Sequence, residues 1–245
     1  MNPRATTTSH VHAALEREPR INIHRHPIHV AATDGTVTLE GEVADVAAKR
    51  LALQLAGAVQ GVRNVVDRLR IAPGERRGDG AVRDSAARLL LEQPELRGCS
   101  LNMRNGDGNA ERVTVLRRVR EDPAGDIHIS VTDGAIVLEG HVISQSHRRF
   151  AGAVAWWTPG RRDVVNALEV RPAYEDRDDE VSEVLRLVLD ADPELDAAQI
   201  RTNCNGKVVF LDGNVPNEQQ KRRAELDAWS LIAIRGVVNR LEISR

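Results

Sequence analysis

Short runs in which apolar and polar residues alternate recur along the chain, each followed by a stretch with helical spacing. Val37, Leu39 and Val43 alternate with polar residues, and Ile136, Leu138 and Val142 do the same further on. A period of two is the mark of a strand with one buried and one exposed face. These runs are entered through Asp34-Gly35, Asp133-Gly134 and, in a third place, Asn205-Gly206. Such pairs signal a hairpin, because a type I′ turn needs positive φ at both central residues. Val30 to Gly41 and Ile129 to Gly140 are 11 residues apart, whereas Ile200 to Gly213 is 13. The third turn is therefore expected to be longer, by an even number that leaves Val209 and Leu211 pointing inward.

Twenty residues beyond Gly41, Gly140 and Gly213 stand Gly61, Gly160 and Ala233, each opening a similar tail. The interval holds a helix whose inward stripe is Ala52, Ala56 and Val59, then Ala151, Ala155 and Thr158, then Ala224, Ala228 and Leu231. Spacing of i, i+4, i+7 is one helical face, and small residues on it allow close approach to a sheet. The tails (Val65, Leu69, Ile71; Val164, Leu168, Val170; Val237, Leu241, Ile243) are rich in β-branched residues and give a third strand. Strand, helix, strand is a crossover, so this strand runs parallel to the second. A short amphipathic helix precedes each hairpin, on Val11 and Leu15, on Val82, Ala86 and Leu89, and on Val181, Leu185 and Val188.

The expected class is α+β: three tandem αββαβ modules, each with two helices on a small three-stranded mixed sheet. Pro, Gly and charge runs place the modules at 8–73, 79–172 and 178–245. Residues 98–126 of the second are extra, an added hairpin or a long surface loop. Cores of this size are marginal alone, which favours packing between neighbouring modules.

The pattern dG-x-V-x-L-x-G-x-V, a 20-residue helical spacer, and G-V-x-x-V-x-N-x-L-x-V resembles the BON domain, named for bacterial osmotic-stress and nodulation proteins. Copy three departs at Ala233, and copy one has Asp67 where the others have Asn166 and Asn239. The resemblance implies αββαβ units without catalytic residues, associated with bacterial envelopes, stress response and phospholipid binding. Some relatives that carry a further small module bind potassium, which makes a cytoplasmic potassium or small-ligand sensor the alternative reading.

Composition narrows the chemistry. Lys+Arg number 34 against Asp+Glu 36, so no global charge draws the chain to nucleic acid. Few aromatics stand ready as stacking platforms. The longest mainly apolar runs, Leu51 to Val59 and Phe150 to Trp157, fall short of the roughly 18 residues a transmembrane helix needs. As written the chain shows no secretory signal, which reads as cytoplasmic, or as periplasmic if the true start lies upstream. Cys99 and Cys204 are too few for a disulfide framework. No nucleophile, phosphate-loop or metalloprotease motif is present, so no enzyme and no cofactor are expected.

Three further groups have both a functional and a plain reading. His24, His26 and His29 can offer imidazoles to a metal, but no carboxylate or cysteine completes a set. Asn105, Asp107, Asn109 and Glu111 open like a calcium loop, yet Ala110 and Leu116 stand where glycine and a bidentate glutamate belong. Trp156, Trp157 and Trp229 sit late in the crossover helices, suited to an intermodule contact or a lipid interface.

The lipid-binding candidates are cations at matched places on the crossover helices: Lys49 and Arg50, Arg148 and Arg149, Lys221 and Arg222. On one side they would form a basic strip facing an anionic phospholipid surface or an envelope protein, each cation adding about 1 kcal/mol. The third module opposes it, with 15 acidic and 10 basic residues from Pro172 onward.

Overall fold

The computed structural model describes residues 3–105, 112–173 and 177–244. It divides into two compact units, Met1–Ala72 and Pro73–Arg245.

In the first unit α1 (Pro3–Glu16) precedes a hairpin of β1 (Ile28–Thr33) and β2 (Thr36–Val43), then α2 (Val46–Ala58) and β3 (Asn64–Ile71). The sheet order is β1-β2-β3, with β1 antiparallel and β3 parallel to β2. That is the αββαβ arrangement the crossover requires. Val11 and Leu15 from α1, Val37 and Leu39 from β2, and Ala52 and Ala56 from α2 are fully buried in one core.

The second unit holds the other two copies. α3 (Asp79–Glu92) is followed by β4 (Cys99–Asn105) and β5 (Arg112–Arg117), then by the repeat hairpin β6 (Gly125–Thr132) and β7 (Ala135–Val142). α4 (Gln145–Trp156), β8 (Asp163–Asn166) and β9 (Glu169–Val170) complete that copy. Residues 98–126 thus carry an added hairpin: β5 pairs antiparallel with β4, and β4 runs parallel to β6. The sheet becomes six-stranded, in the order β5-β4-β6-β7-β8, and its last strand is split, β8 and β9 both pairing with β7. The third copy is α5 (Asp178–Ala191), β10 (Ile200–Asn205), β11 (Val208–Val215), α6 (Glu218–Ser230) and β12 (Gly236–Ile243), its sheet ordered β10-β11-β12.

The register corrects one expectation. Ile28 faces Gly41, Ile127 faces Gly140 and Ile200 faces Gly213, so the three hairpins have one length. The third turn is not longer. It is the same two-residue loop at the same place, with glycine in its first position, Gly206 (φ 57°) then Lys207 (φ 65°), where the others have Asp34 and Asp133 followed by glycine, and Asn205 closes the strand. Counting from Val30 and Ile129 instead of Ile28 and Ile127 hid the equivalence.

The second glycine of each hairpin is there for a close approach. At Gly140 (φ 112°) an added Cβ would stand 2.0 Å from the Asp126 carbonyl oxygen, and at Gly213 (φ 127°) 1.9 Å from that of Gln199. Only a residue without Cβ fits so close an approach. Four residues on, Asp45, Ser144 and Asn217 cap the three crossover helices, each side chain accepting from the backbone N–H three residues ahead.

Candidate functional site

The crossover helices carry the candidate cations, and the structure divides them. Lys49 is buried: its Nζ donates to the Leu69 carbonyl at 2.8 Å and pairs with the Asp67 carboxylate at 2.9 Å. Arg149 is 1% exposed, with its Nε directed at the Ile232 carbonyl of the third copy. Arg50, Arg148 and Lys221 are half-buried, and Arg222 is exposed. Two of the six therefore serve the fold. The other four reach the surface, Arg148, Lys221 and Arg222 within the second unit and Arg50 in the first.

The burial of Lys49 follows from a difference visible in the tails. In copies two and three the side-chain amide of Asn166 donates to the Arg148 carbonyl at 2.6 Å, and that of Asn239 donates to the Lys221 carbonyl at 3.0 Å. Their Oδ1 atoms accept from Leu168 and Leu241. Each asparagine ties the third strand to the crossover helix. Asp67 keeps the acceptor half of this pattern, taking the Leu69 N–H at 2.9 Å, but a carboxylate has no proton for a helix carbonyl. Lys49 ties helix to strand from the other side, its Nζ donating to the Leu69 carbonyl and offsetting the Asp67 charge. Asp67 in place of asparagine was the sequence signal for that pairing.

The second and third copies meet through a polar joint built at the end of α4. Trp157 Nε1 donates to Asp227 Oδ1 of α6 at 2.8 Å. Asp192, at the end of α5 with a fully buried side chain, takes a two-pronged contact from Arg223, Nε at 2.5 Å and Nη2 at 3.1 Å. Arg223 also reaches Glu194 at 3.3 Å. Burial, then the neighbouring Asp192 carboxylate, push the Asp227 carboxyl well above the ordinary carboxylate range. Arg161 lies beside this group, its guanidinium lowered to about 10 by burial and by Arg223. Around the joint Trp229 and Trp156 are buried, as is Phe150. The tryptophans thus serve the intermodule contact and the core. Asp192, Arg223 and Asp227 carry no sequence signature, since their partners lie 31 and 70 residues away.

The remaining candidates are dispersed. His24 and His29 are exposed and His26 half-buried, and among the described residues no three His, Cys, Asp or Glu side chains gather to hold a metal. Asp107, Asn109 and Glu111 of the calcium-like run lie outside the described residues, as does the side chain of Asn105. Cys99 and Cys204 are free and buried, and burial pushes the Cys99 thiol up to about 11, away from the nucleophilic thiolate. Among the described residues no helix is long and apolar enough to cross a membrane.

Compared with known families, the chain matches the model described as BON domain at residues 3–73, 112–172 and 177–245. The second match begins in the inserted hairpin, because α3, which stands where α1 stands in the first copy, lies upstream of it. No curated protein matches the chain. Among solved structures, the C-terminal domain of CdsD, a structural protein of the type III secretion system of Chlamydia trachomatis, is 15% identical over 97% of this chain and 96% of that one, with a TM-score of 0.24. A second structure of CdsD gives 15% identity, 97% and 92% coverage, and a TM-score of 0.22. Likenesses that distant carry no argument about role.

Proposed function

Because the chain belongs to the BON domain family, a non-catalytic binding type, we propose that it is a non-enzymatic binding and scaffold protein that associates peripherally with anionic phospholipid in a stress response. The observation that carries this reading is the set of surface-reaching cations, Arg50, Arg148, Lys221 and Arg222, at matched places on the three crossover helices. Lys49 and Arg149 drop out of it, being committed to Asp67 and to the third copy. Attraction of this kind is electrostatic and involves little insertion, so salt screens it.

Co-sedimentation with vesicles containing an anionic phospholipid, at low and high salt, is the test. The expected result is binding that falls with salt and with reversal of Arg50, Arg148, Lys221 and Arg222 to glutamate. Binding that ignores both salt and these reversals overturns the reading.

A further inference from the structure

The inserted hairpin leaves β5 as the terminal strand of the six-stranded sheet. A terminal strand offers backbone donors and acceptors along its outer side, and such an edge is a template for another strand. Two of its residues, Val113 and Val115, are 51% and 46% exposed. They stand opposite Arg104 and Asn102 of β4, on the face away from α3, because Leu101 and Met103 of β4 turn toward the helix side. On that helix side a groove of about 360 Å³ runs between α3 and the edge, lined by Ala87, Leu91, Met103 and Leu116 together with Asp84, Arg88 and Glu92 of α3. Apolar surface thus lies on both faces of one edge.

Charge identifies what fits there. Residues 112–120, Arg-Val-Thr-Val-Leu-Arg-Arg-Val-Arg, hold four arginines and no carboxylate. Arg117 is turned inward onto the Cys99, Leu96 and Leu91 carbonyls, while Arg112, Arg118 and Arg120 are exposed. A second copy is a poor match, since antiparallel pairing of β5 with itself sets Arg112 against Arg117 and parallel pairing stacks each arginine on its twin. A bilayer is a poor match as well. A plane cannot cover the groove and the valines on opposite faces, and it offers the strand edge no peptide partners.

We infer that β5 is a docking edge for an extended segment of another protein, apolar at alternate positions and carboxylate-bearing at its ends. The segment adds as a seventh strand, one row of its side chains filling the groove over Leu91 and Met103 and the other lying beside Val113 and Val115. Its acidic ends meet Arg112 at one end of the strand and Arg118 and Arg120 at the other. Main-chain pairing supplies affinity and the arginines supply orientation and selection by charge.

The test uses the full chain and a labelled synthetic peptide, Glu-Glu-Val-Thr-Val-Thr-Val-Glu-Glu, with a lysine-flanked peptide of the same centre as control. Fluorescence anisotropy is expected to show binding of the glutamate peptide alone, weakened about tenfold or more by joint reversal of Arg112, Arg118 and Arg120 to glutamate. Those positions are exposed, so the variant keeps the parent's melting curve. Hydrogen exchange is expected to slow at the amides of residues 112–117 and to stay unchanged in β1 and β12. Absence of binding, equal binding of both peptides, protection elsewhere, a β5-dependent dimer in sedimentation, or arginine reversals that abolish vesicle binding but spare peptide binding would each overturn the inference.

Discussion

The crossover helices α2 and α4 begin alike and end differently. Both start on a capping side chain four residues after the close-approach glycine of the hairpin, and both lay a stripe of alanines on a sheet. In α4 every residue from Arg149 to Trp156 is buried, whereas α2 leaves Gln54, Gly57 and Ala58 exposed. The difference lies in what occupies the last turn: Trp156 and Trp157 in one, Gly57 and Ala58 at the same places in the other. One helix pattern serves as surface or as joint according to whether its end carries bulk that needs covering and a polar tip that needs a partner.

Removing that bulk is the strongest way to break the comparison. Trp157→Ala is expected to destabilise the second unit by about 3 kcal/mol, through lost area and a lost donor to Asp227. Ala58→Trp in the first unit is expected to stay within about 0.5 kcal/mol, as an exposed position should. Calorimetry of the full chain reads both.

Next in size is the strand-to-helix tie. Asn166→Asp removes the donor to the Arg148 carbonyl and is expected to cost about 2 kcal/mol. Asp67→Asn removes the counter-charge of Lys49, but Asp67 is one-third exposed, so about 1 kcal/mol is expected. Denaturant titrations compare the two; equal losses would mean that Arg148 turns inward as Lys49 does, making the two copies interchangeable.

The units are also expected to answer pH in opposite directions. Asp227 has a raised carboxyl, so its contribution is fully present below the ordinary value of 3.8 and is lost as pH rises through the folded value. Groups facing it are Trp157 just past α4, Asp192 after α5 and Arg223 on α6, with Glu194 and Arg161 acting on Arg223. Glu18 of the first unit is lowered, chiefly by the Arg20 guanidinium hydrogen-bonded to it, so its small contribution is present above 4.5 and lost as pH falls. Thermal melts from pH 4 to 8 should show the second unit weakening upward, and Asp227→Asn should flatten that slope. A slope unchanged in the variant assigns it to another group.

The smallest effect is at the tail turn. Ala233 holds φ 69° where Gly61 and Gly160 hold 88° and 81°. Ala233→Gly is expected to stabilise the third copy by about 1 kcal/mol and Gly61→Ala to weaken the first by a similar amount, measured by chemical unfolding.

The αββαβ plan was legible because its determinants are local: turn pairs, strand glycines, caps and alanine stripes all sit within one copy. The inserted hairpin was half legible, Leu101 to Met103 and Val113 to Val115 alternating correctly without revealing that β4 pairs with β6. The candidate cations were read by charge, and charge alone does not say that Lys49 lies against Asp67, 18 residues on, or that Arg149 looks into another copy. The Asp192, Arg223 and Asp227 cluster was invisible, because it forms only when α5 and α6, far apart in the chain, have packed, and its bond from Trp157 only when the second copy joins the third.

The hairpin β4–β5 enters the chain between a copy's first helix and its first strand, and the repeat downstream keeps its register to the residue. That joint is thus a permissive graft point. Foreign hairpins, reporter tags or epitope loops spliced at the corresponding segment of the first copy, after Glu16, should be carried as passengers on an intact scaffold, which makes the repeat a natural chassis for displaying new strands.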